Sequence, residues 1–307
     1  MLTQMLAIVI PYYKITFFEA TLQSLANQTD KRFKVYIGDD ASPENPADLL
    51  EKYRDKFDFV YYRFENNIGS VSLTKQWQRS IELTNNENWL MILGDDDVLD
   101  ENVVESFYNN INEVEKEEIN VIRFASQKID EKGKPISPIF QHQKIEKAIN
   151  FLFNKTRSSM SEYVFRRTQI LKLGFTDFPL AWYSDVLAVL EFSNFGHIFS
   201  VTNSVVYVRI SDLSISGSST HEKQKLQAKF EFYFYLINKK IANFSETEAV
   251  ELYDRINKCY INNKKQYQFF LKISKMYFRK KLFKKYFSFI GQIVFYSTKR
   301  VNFFQNL

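Results

Sequence analysis

An α/β fold with a mostly parallel sheet follows from three features of the first 125 residues of this 307-residue chain. Short apolar runs alternate with amphipathic stretches. Each run ends in polar residues. The spacing leaves room for a helix between successive runs. Chains patterned this way wind βαβ units into a sheet flanked by helices.

The runs LAIVI (6–10), FKVYIG (33–38), FVYYRF (59–64), WLMIL (89–93) and VIRFA (121–125) are predicted strands, and helical periodicity covers 16–28, 46–56, 70–84 and 101–117. Ligands of open α/β sheets bind beyond the carboxyl ends of strands. PYYK (11–14), DDASPEN (39–45), ENNIGS (65–70) and GDDDVLD (94–100) are therefore the place to look. Residues 126–145, with Gly133, Pro135, Pro138 and many charges, read as loop. Farther on, 181–196 reads as a helix ending at Gly196, HIFSV and SVVYVRI as a strand pair, and 211–220 as a Ser/Gly-rich loop. From His221 the pattern is helical throughout. The expected organisation is an α/β domain over 1–220, divisible into 1–125 and 126–220, and a helical, basic, aromatic region over 221–307.

One cysteine, Cys259, excludes an intrachain disulfide and fits a reducing compartment. The start MLTQMLAIVIPYYK lacks a basic lead and its apolar run meets Pro11, unlike a signal peptide. No apolar stretch approaches the ~18 residues of a membrane-spanning helix, so a cytoplasmic location is expected. The net charge of +5 splits into +13 from Arg255 onward, where no Asp or Glu occurs, and −8 on the rest. Such a split favours an anionic partner for the tail.

Asp95, Asp96 and Asp97 end a strand that should be buried, although adjacent carboxylates repel one another. Two readings are open. Asp97 or Asp100 caps the helix starting near Glu101, or the acids hold Mg²⁺ or Mn²⁺, which bind through carboxylates together with substrate phosphates.

LAIVIPYY, LQSLANQ, FKVYIGDDAS, NNIGS and WLMILGDDDVL, in order over residues 6–100, resemble the family 2 glycosyltransferases of the GT-A fold, whose pattern is I-P-x-Y/F-N, S-L-x-x-Q, D-D-x-S, N-x-G and L-D-x-D-D. The resemblance implies transfer of a sugar from a nucleotide-diphosphate donor, usually with inversion, with a divalent cation bridging the two phosphates. It makes 1–125 the nucleotide-sugar half and 126–220 the acceptor half. By position, Asp97 would be the main metal ligand, with Asp95 beside it. Asp95 and Asp96 would also meet the donor, Asp40 its base or ribose, and Pro11, Tyr12 and Tyr13 would line the nucleotide pocket. Three departures stand out: Lys14 replaces the usual Asn, Gly94 the first Asp, and Trp77-Gln78 the common Arg-Asn. Lys75 or Arg79 would then supply charge to the pyrophosphate, or lie on a solvated helix face.

Inversion needs one general base. Asp185, at the first turn of a predicted helix and preceded by Trp182 and Tyr183, matches the family's acidic position in the acceptor half; a helix cap is the plainer role. Glu162 is the reserve, and otherwise an exposed strand residue. Arg209 with Ser214–Ser219 would form a lid. The histidines, His142, His197 and His221, stand in no setting that suggests catalysis.

The stretch 262–296 interleaves basic and aromatic residues at helical spacing. It would lie on an anionic membrane surface, as suits a saccharide or lipid-linked saccharide acceptor, or pack its aromatics within a helical domain. Nucleic acid is not an expected partner: no nucleic-acid motif is present and the acidic front half would repel a backbone. The expected role is in surface polysaccharide or glycolipid synthesis. The alternatives are a sugar-phosphate nucleotidyltransferase, disfavoured by the glycine-free IPYYKITFFEATLQ, and a non-catalytic membrane-associated scaffold.

Overall fold

A computed structural model describes residues 6–153, 159–212, 214, 220–263 and 265–304, with side chains described to residue 296. The chain divides into two compact units, 1–221 and 222–307.

The first unit opens with β1 (Leu6–Tyr12), α1 (Phe18–Ala26), β2 (Phe33–Asp39), α2 (Ala47–Glu51), β3 (Phe59–Arg63), α3 (Leu73–Ile81) and β4 (Trp89–Ile92). These four strands run parallel in the order β3-β2-β1-β4. The strand order reverses between β1 and β4, leaving a crevice beyond their carboxyl ends where ligands of such sheets bind. Leu6, Ile8, Ile10 and Tyr12 share the period-two face of β1 and are buried with Phe18, Leu22 and Leu25 of α1. On α3, Ser72 Oγ caps by accepting the Lys75 N–H at 3.3 Å. That helix lies so close to β2 that a Cβ at Gly38 would stand 2.3 Å from Ser80 Oγ.

The chain continues through β5 (Val98–Leu99), α4 (Val103–Lys116), β6 (Val121–Ile129), β7 (Ile145–Lys147), α5 (Ala148–Phe153), β8 (Tyr163–Arg166), α6 (Arg167–Leu173), α7 (Ser184–Phe192) and β9 (His197–Arg209). The sheet extends from β4 through β8, β6 and β9 to β5, and β7 also pairs with β9. Both β8 pairings are antiparallel and β6 runs parallel to β9, so the sheet is mixed on this side.

Three expectations need correction. The strand pair is the single strand β9: Thr202, Asn203 and Ser204 do not reverse the chain but bulge, since Phe124 pairs with Val201 and Ala125 with Val205. The supposed loop after 125 begins as strand, because Gln127 and Lys128 pair with Tyr207 and Val208 despite their polarity. The helix expected over 181–196 spans only Ser184–Phe192. A 3₁₀ turn, Pro179–Ala181, precedes it, with Leu180 at φ 61°, Ala181 at φ 52° and Tyr183 at φ 72°.

The second unit holds α8 (Glu222–Tyr235), α9 (Glu246–Ile261), α10 (Tyr267–Arg279) and α11 (Phe283–Phe304). Ser245 and Glu248 form a reciprocal cap at the start of α9. Its core is aromatic: Phe230 stacks on Phe269 at 4.0 Å between centroids, and Tyr277 and Phe289 are buried. Cys259 is buried, and burial pushes its thiol up to about 11. Among the described residues no helix is long and apolar enough to cross a membrane.

Candidate active site

A cavity of roughly 430 Å³ opens beyond the carboxyl ends of β1 and β4, within the usual range for small-molecule sites. Of the predicted residues, Pro11, Tyr13, Asp40, Asp95, Asp96 and Asp97 line it. Tyr12 does not. It falls on the inward face of β1, is fully buried, and donates its hydroxyl hydrogen to the Glu44 carbonyl at 2.9 Å. Lys75 is exposed and lies off the cavity wall. Asp185 stands outside the wall, in the first turn of α7.

The paired acids after β2 divide their labour. Asp39 is buried and accepts hydrogen bonds from the Ser42 N–H at 2.8 Å, the Tyr61 hydroxyl at 2.6 Å and Arg63 Nη1 at 2.8 Å. Asp40 reaches the cavity, but its two oxygens accept the Ile68 and Gly69 N–H groups at 2.9 Å each. It therefore locks the N-x-G loop onto the end of β2. Arg79 pairs with Asp40, donates to the Asn66 carbonyl at 2.8 Å and stacks on Phe64. Its guanidinium is thus engaged within this loop.

The three consecutive aspartates also part company. Asp95 Oδ2 accepts the N–H groups of Tyr13 and Lys14 at 2.7 and 2.8 Å, fixing the turn that leaves β1. Burial pushes its carboxyl up to about 6, against the lowering effect of those two donors. Asp97 Oδ1 accepts the Arg209 N–H at 2.8 Å, and Asp97 Oδ2 accepts the Ser161 hydroxyl. Among the described residues no other residue donates a hydrogen bond to the Asp96 carboxylate. Burial, then Asp97, then Asp95 push its carboxyl well above the usual range. The N-cap position of α4 is Asn102, whose side chain makes no capping bond, and just before it Asp100 Oδ1 accepts the Glu101 N–H at 3.0 Å.

Asp96 and Asp97 converge over Gly94. A Cβ there would meet Asp96 Oδ1 at 2.9 Å and Asp97 Oδ2 at 3.0 Å. Glycine at this position thus keeps the space open. A pair of crowded carboxylates facing a cavity, Asp97 buried and Asp96 half-buried, fits a hard divalent cation, which would relieve their repulsion. Among the described residues no group of three or more His, Cys, Asp or Glu side chains forms a metal cage. The pair suits an ion that takes its remaining ligands from substrate and water. Asp95, expected beside Asp97 as a metal ligand, has its Oδ2 engaged by the backbone of 13–14.

Ser161 and Thr21 were invisible to sequence reasoning. Ser161 accepts the Gly94 N–H at 3.0 Å while donating to Asp97. Thr21 Oγ1 donates to the Asp97 carbonyl at 2.8 Å. Lys14, flagged only as a departure, lines the cavity, and its charge acts on Asp95. Arg209, expected in a lid, is buried: Nε donates to the Asp96 carbonyl at 2.9 Å and Nη1 to the Asp130 carbonyl at 2.8 Å. Of its supposed partners only Ser214 is described, and residues 215–219 lie outside the described residues. Glu162, the reserve base and otherwise an expected exposed strand residue, is buried in the turn Met160–Glu162.

Residues 7–174 match glycosyl transferase family 2. The chain belongs to this family. Family 2 enzymes are glycosyltransferases, and the solved structures similar to this chain share its GT-A fold. TarS of S. aureus, residues 1–349 in complex with UDP-GlcNAc, is 15% identical with a TM-score of 0.64, over 84% of this chain and 73% of that one. The mannosyltransferase PcManGT of Pyrobaculum calidifontis, with GDP-Man and Mn²⁺, is 9% identical with a TM-score of 0.52, over 97% and 87%. GalNAc-T7 with UDP, GalNAc and Mn²⁺ is 12% identical with a TM-score of 0.51, over 82% and 55%. No curated protein matches the sequence.

Proposed function

We propose that this family 2 glycosyltransferase moves a sugar from a nucleoside-diphosphate sugar to an acceptor hydroxyl, with inversion and with Mg²⁺ or Mn²⁺. The observation that carries the reading is the convergence of Asp96 and Asp97 over Gly94 inside the cavity at the strand-order reversal. The bound donors and Mn²⁺ in the similar structures support it.

Pro11 and Tyr13 form one wall for the nucleotide, and Asp40 holds the Ile68–Gly69 backbone against it. Asp96 and Asp97 hold the cation, which when bound stabilises the charge of the departing diphosphate. Lys14 is the basic side chain on the wall beside these acids, and takes the phosphate role expected of Lys75. Asp185 accepts the proton of the acceptor hydroxyl as that oxygen bonds to the anomeric carbon and the bond to the diphosphate oxygen breaks on the opposite face. Two contacts brace the segment leading to Asp185 against the cavity: Thr74 Oγ1 donates to Asp177 Oδ1 at 2.7 Å, and Trp77, which lines the cavity, meets Phe175 edge to face at 5.4 Å. The acceptor is a saccharide or lipid-linked saccharide of a surface polysaccharide or glycolipid, met at the cytoplasmic face of an anionic membrane.

Calorimetric titration of UDP and GDP, with and without Mn²⁺, tests the donor half. Metal-dependent binding that disappears in Asp96→Ala and Asp97→Ala is the expected result; metal-independent binding retained in both variants refutes the assignment. Asp185→Asn should bind nucleotide normally and lose transfer, and normal turnover by that variant removes Asp185 as the base.

A further inference from the structure

The second unit carries a surface whose chemistry the catalytic reading does not use. On α10, Phe269, Ile273, Met276 and Tyr277 face the core. The opposite face exposes Tyr267, Leu271 and Phe278 together with Lys272, Lys275 and Arg279. On α11, Phe283, Phe287 and Val294 recur at helical spacing on the outside, and Phe287 is 70% exposed. The two stripes meet where Phe278 packs edge to face on Phe283 at 5.8 Å and against Tyr286 at 4.8 Å. Leu271, Phe278, Phe283, Phe287 and Val294 therefore form one apolar ridge, flanked by Lys272, Lys275, Arg279, Lys281 and Lys284. Among the described residues none of these five cations pairs with a carboxylate, and neither helix contains an Asp or Glu.

We infer that this ridge is the membrane-docking face, inserting its apolar crest into the headgroup boundary of an anionic bilayer while the flanking cations meet lipid phosphates. The inference rests on the proposed membrane-surface role and gives it a defined face. Arg279 donates to Asn238 Oδ1 and Lys272 lies 5.8 Å from the Phe230 ring, which leaves the charge of both without a carboxylate. Exposed aromatic and aliphatic crests between rows of such cations are what an interfacial helix pair needs. A protein partner would have to present a wholly acidic collar around an apolar groove. Single-stranded nucleic acid needs open ring faces for stacking, whereas Phe278 and Phe283 engage each other edge to face and Leu271 and Val294 have no ring.

Co-sedimentation of the full chain with vesicles of phosphatidylcholine containing phosphatidylglycerol, against phosphatidylcholine alone, tests it. Binding to the anionic vesicles only, reversed by high salt, is expected, and Phe283→Ser with Phe287→Ser should weaken it by roughly tenfold or more. Both positions are exposed, so melting and UDP binding should be unchanged in that variant. Equal sedimentation with both vesicle types, or with neither, overturns the inference. So does a ridge-dependent dimer in sedimentation analysis, or ridge-dependent binding of an oligothymidylate, without vesicle binding. If vesicles fail while metal-dependent UDP binding persists, the docking face falls and the transferase reading stands.

Discussion

Asp95 accepts the backbone N–H of Lys14 at 2.8 Å, so the turn after the first strand and the acid cluster after the fourth form one unit across the strand-order reversal. The same oxygen takes the Tyr13 N–H. Truncation to Asp95→Ala leaves both donors without that acceptor; the bond from Tyr13 is exposed and that from Lys14 partly buried, so the loss is about 1 kcal/mol for each. Its melting temperature should fall by several degrees and nucleotide affinity with it. Asp95→Asn keeps one acceptor oxygen and should recover most of the stability. A melting curve for Asp95→Ala that overlays the parent would show that this link bears no load.

The crowded acids set a pH dependence. Asp95 is raised from 3.8 to about 6 in the folded chain, and Asp96 is raised as well. A folded-state pKa above the unfolded value means the folded state binds more protons in that window. Stability from these groups is then fully present below the unfolded pKa and is lost as pH rises through the folded one. The metal-free protein should therefore melt at a lower temperature near pH 7 than near pH 5, apart from other groups. Asp96→Asn should flatten that slope and raise the melting temperature near pH 7. Thermal melts of both proteins across this range decide it.

Gly94→Ala would push a methyl group between the two carboxylates, 2.9 Å from Asp96 Oδ1. Metal-dependent UDP affinity should drop by about tenfold or more while the fold survives, since the acids can part only by abandoning their convergence. Calorimetry on Gly94→Ala that reproduces the parent affinity would place the cation elsewhere.

Tyr183 holds φ 72° immediately before the helix that carries Asp185. A left-handed non-glycine residue costs on the order of 1–3 kcal/mol, which Gly does not pay. Tyr183→Gly should raise the melting temperature by a few degrees, less any lost contacts of the ring. If the same variant loses transfer activity with UDP binding intact, the strained ring serves the acceptor side.

Much of the fold was legible because strands buried on both faces are continuous apolar runs, as WLMIL is. The run after 125 was not, because Gln127 and Lys128 are strand residues with polar side chains, and Thr-Asn-Ser at 202–204 looks like a turn although it only bulges. At the site, position in the chain found loops that line the cavity but not each residue's contacts. Tyr12 could have been set aside from period two alone, since it follows Ile8 and Ile10 onto the inner face. Nothing in the sequence could reveal that Asp95 and Asp40 are held by backbone N–H groups, because their partners lie about eighty and thirty residues away in the chain.

The lone sulfhydryl has a practical corollary. Cys259 is 3% exposed and donates its S–H to the Arg255 carbonyl, so a maleimide reagent will pass it by. A second cysteine introduced by Phe287→Cys or Leu271→Cys would take a fluorophore alone, with no background labelling to remove. The chain is in this sense already a spectroscopic scaffold. The colour and intensity of one dye on the outer face of α10 or α11 would report wet or lipid surroundings in real time.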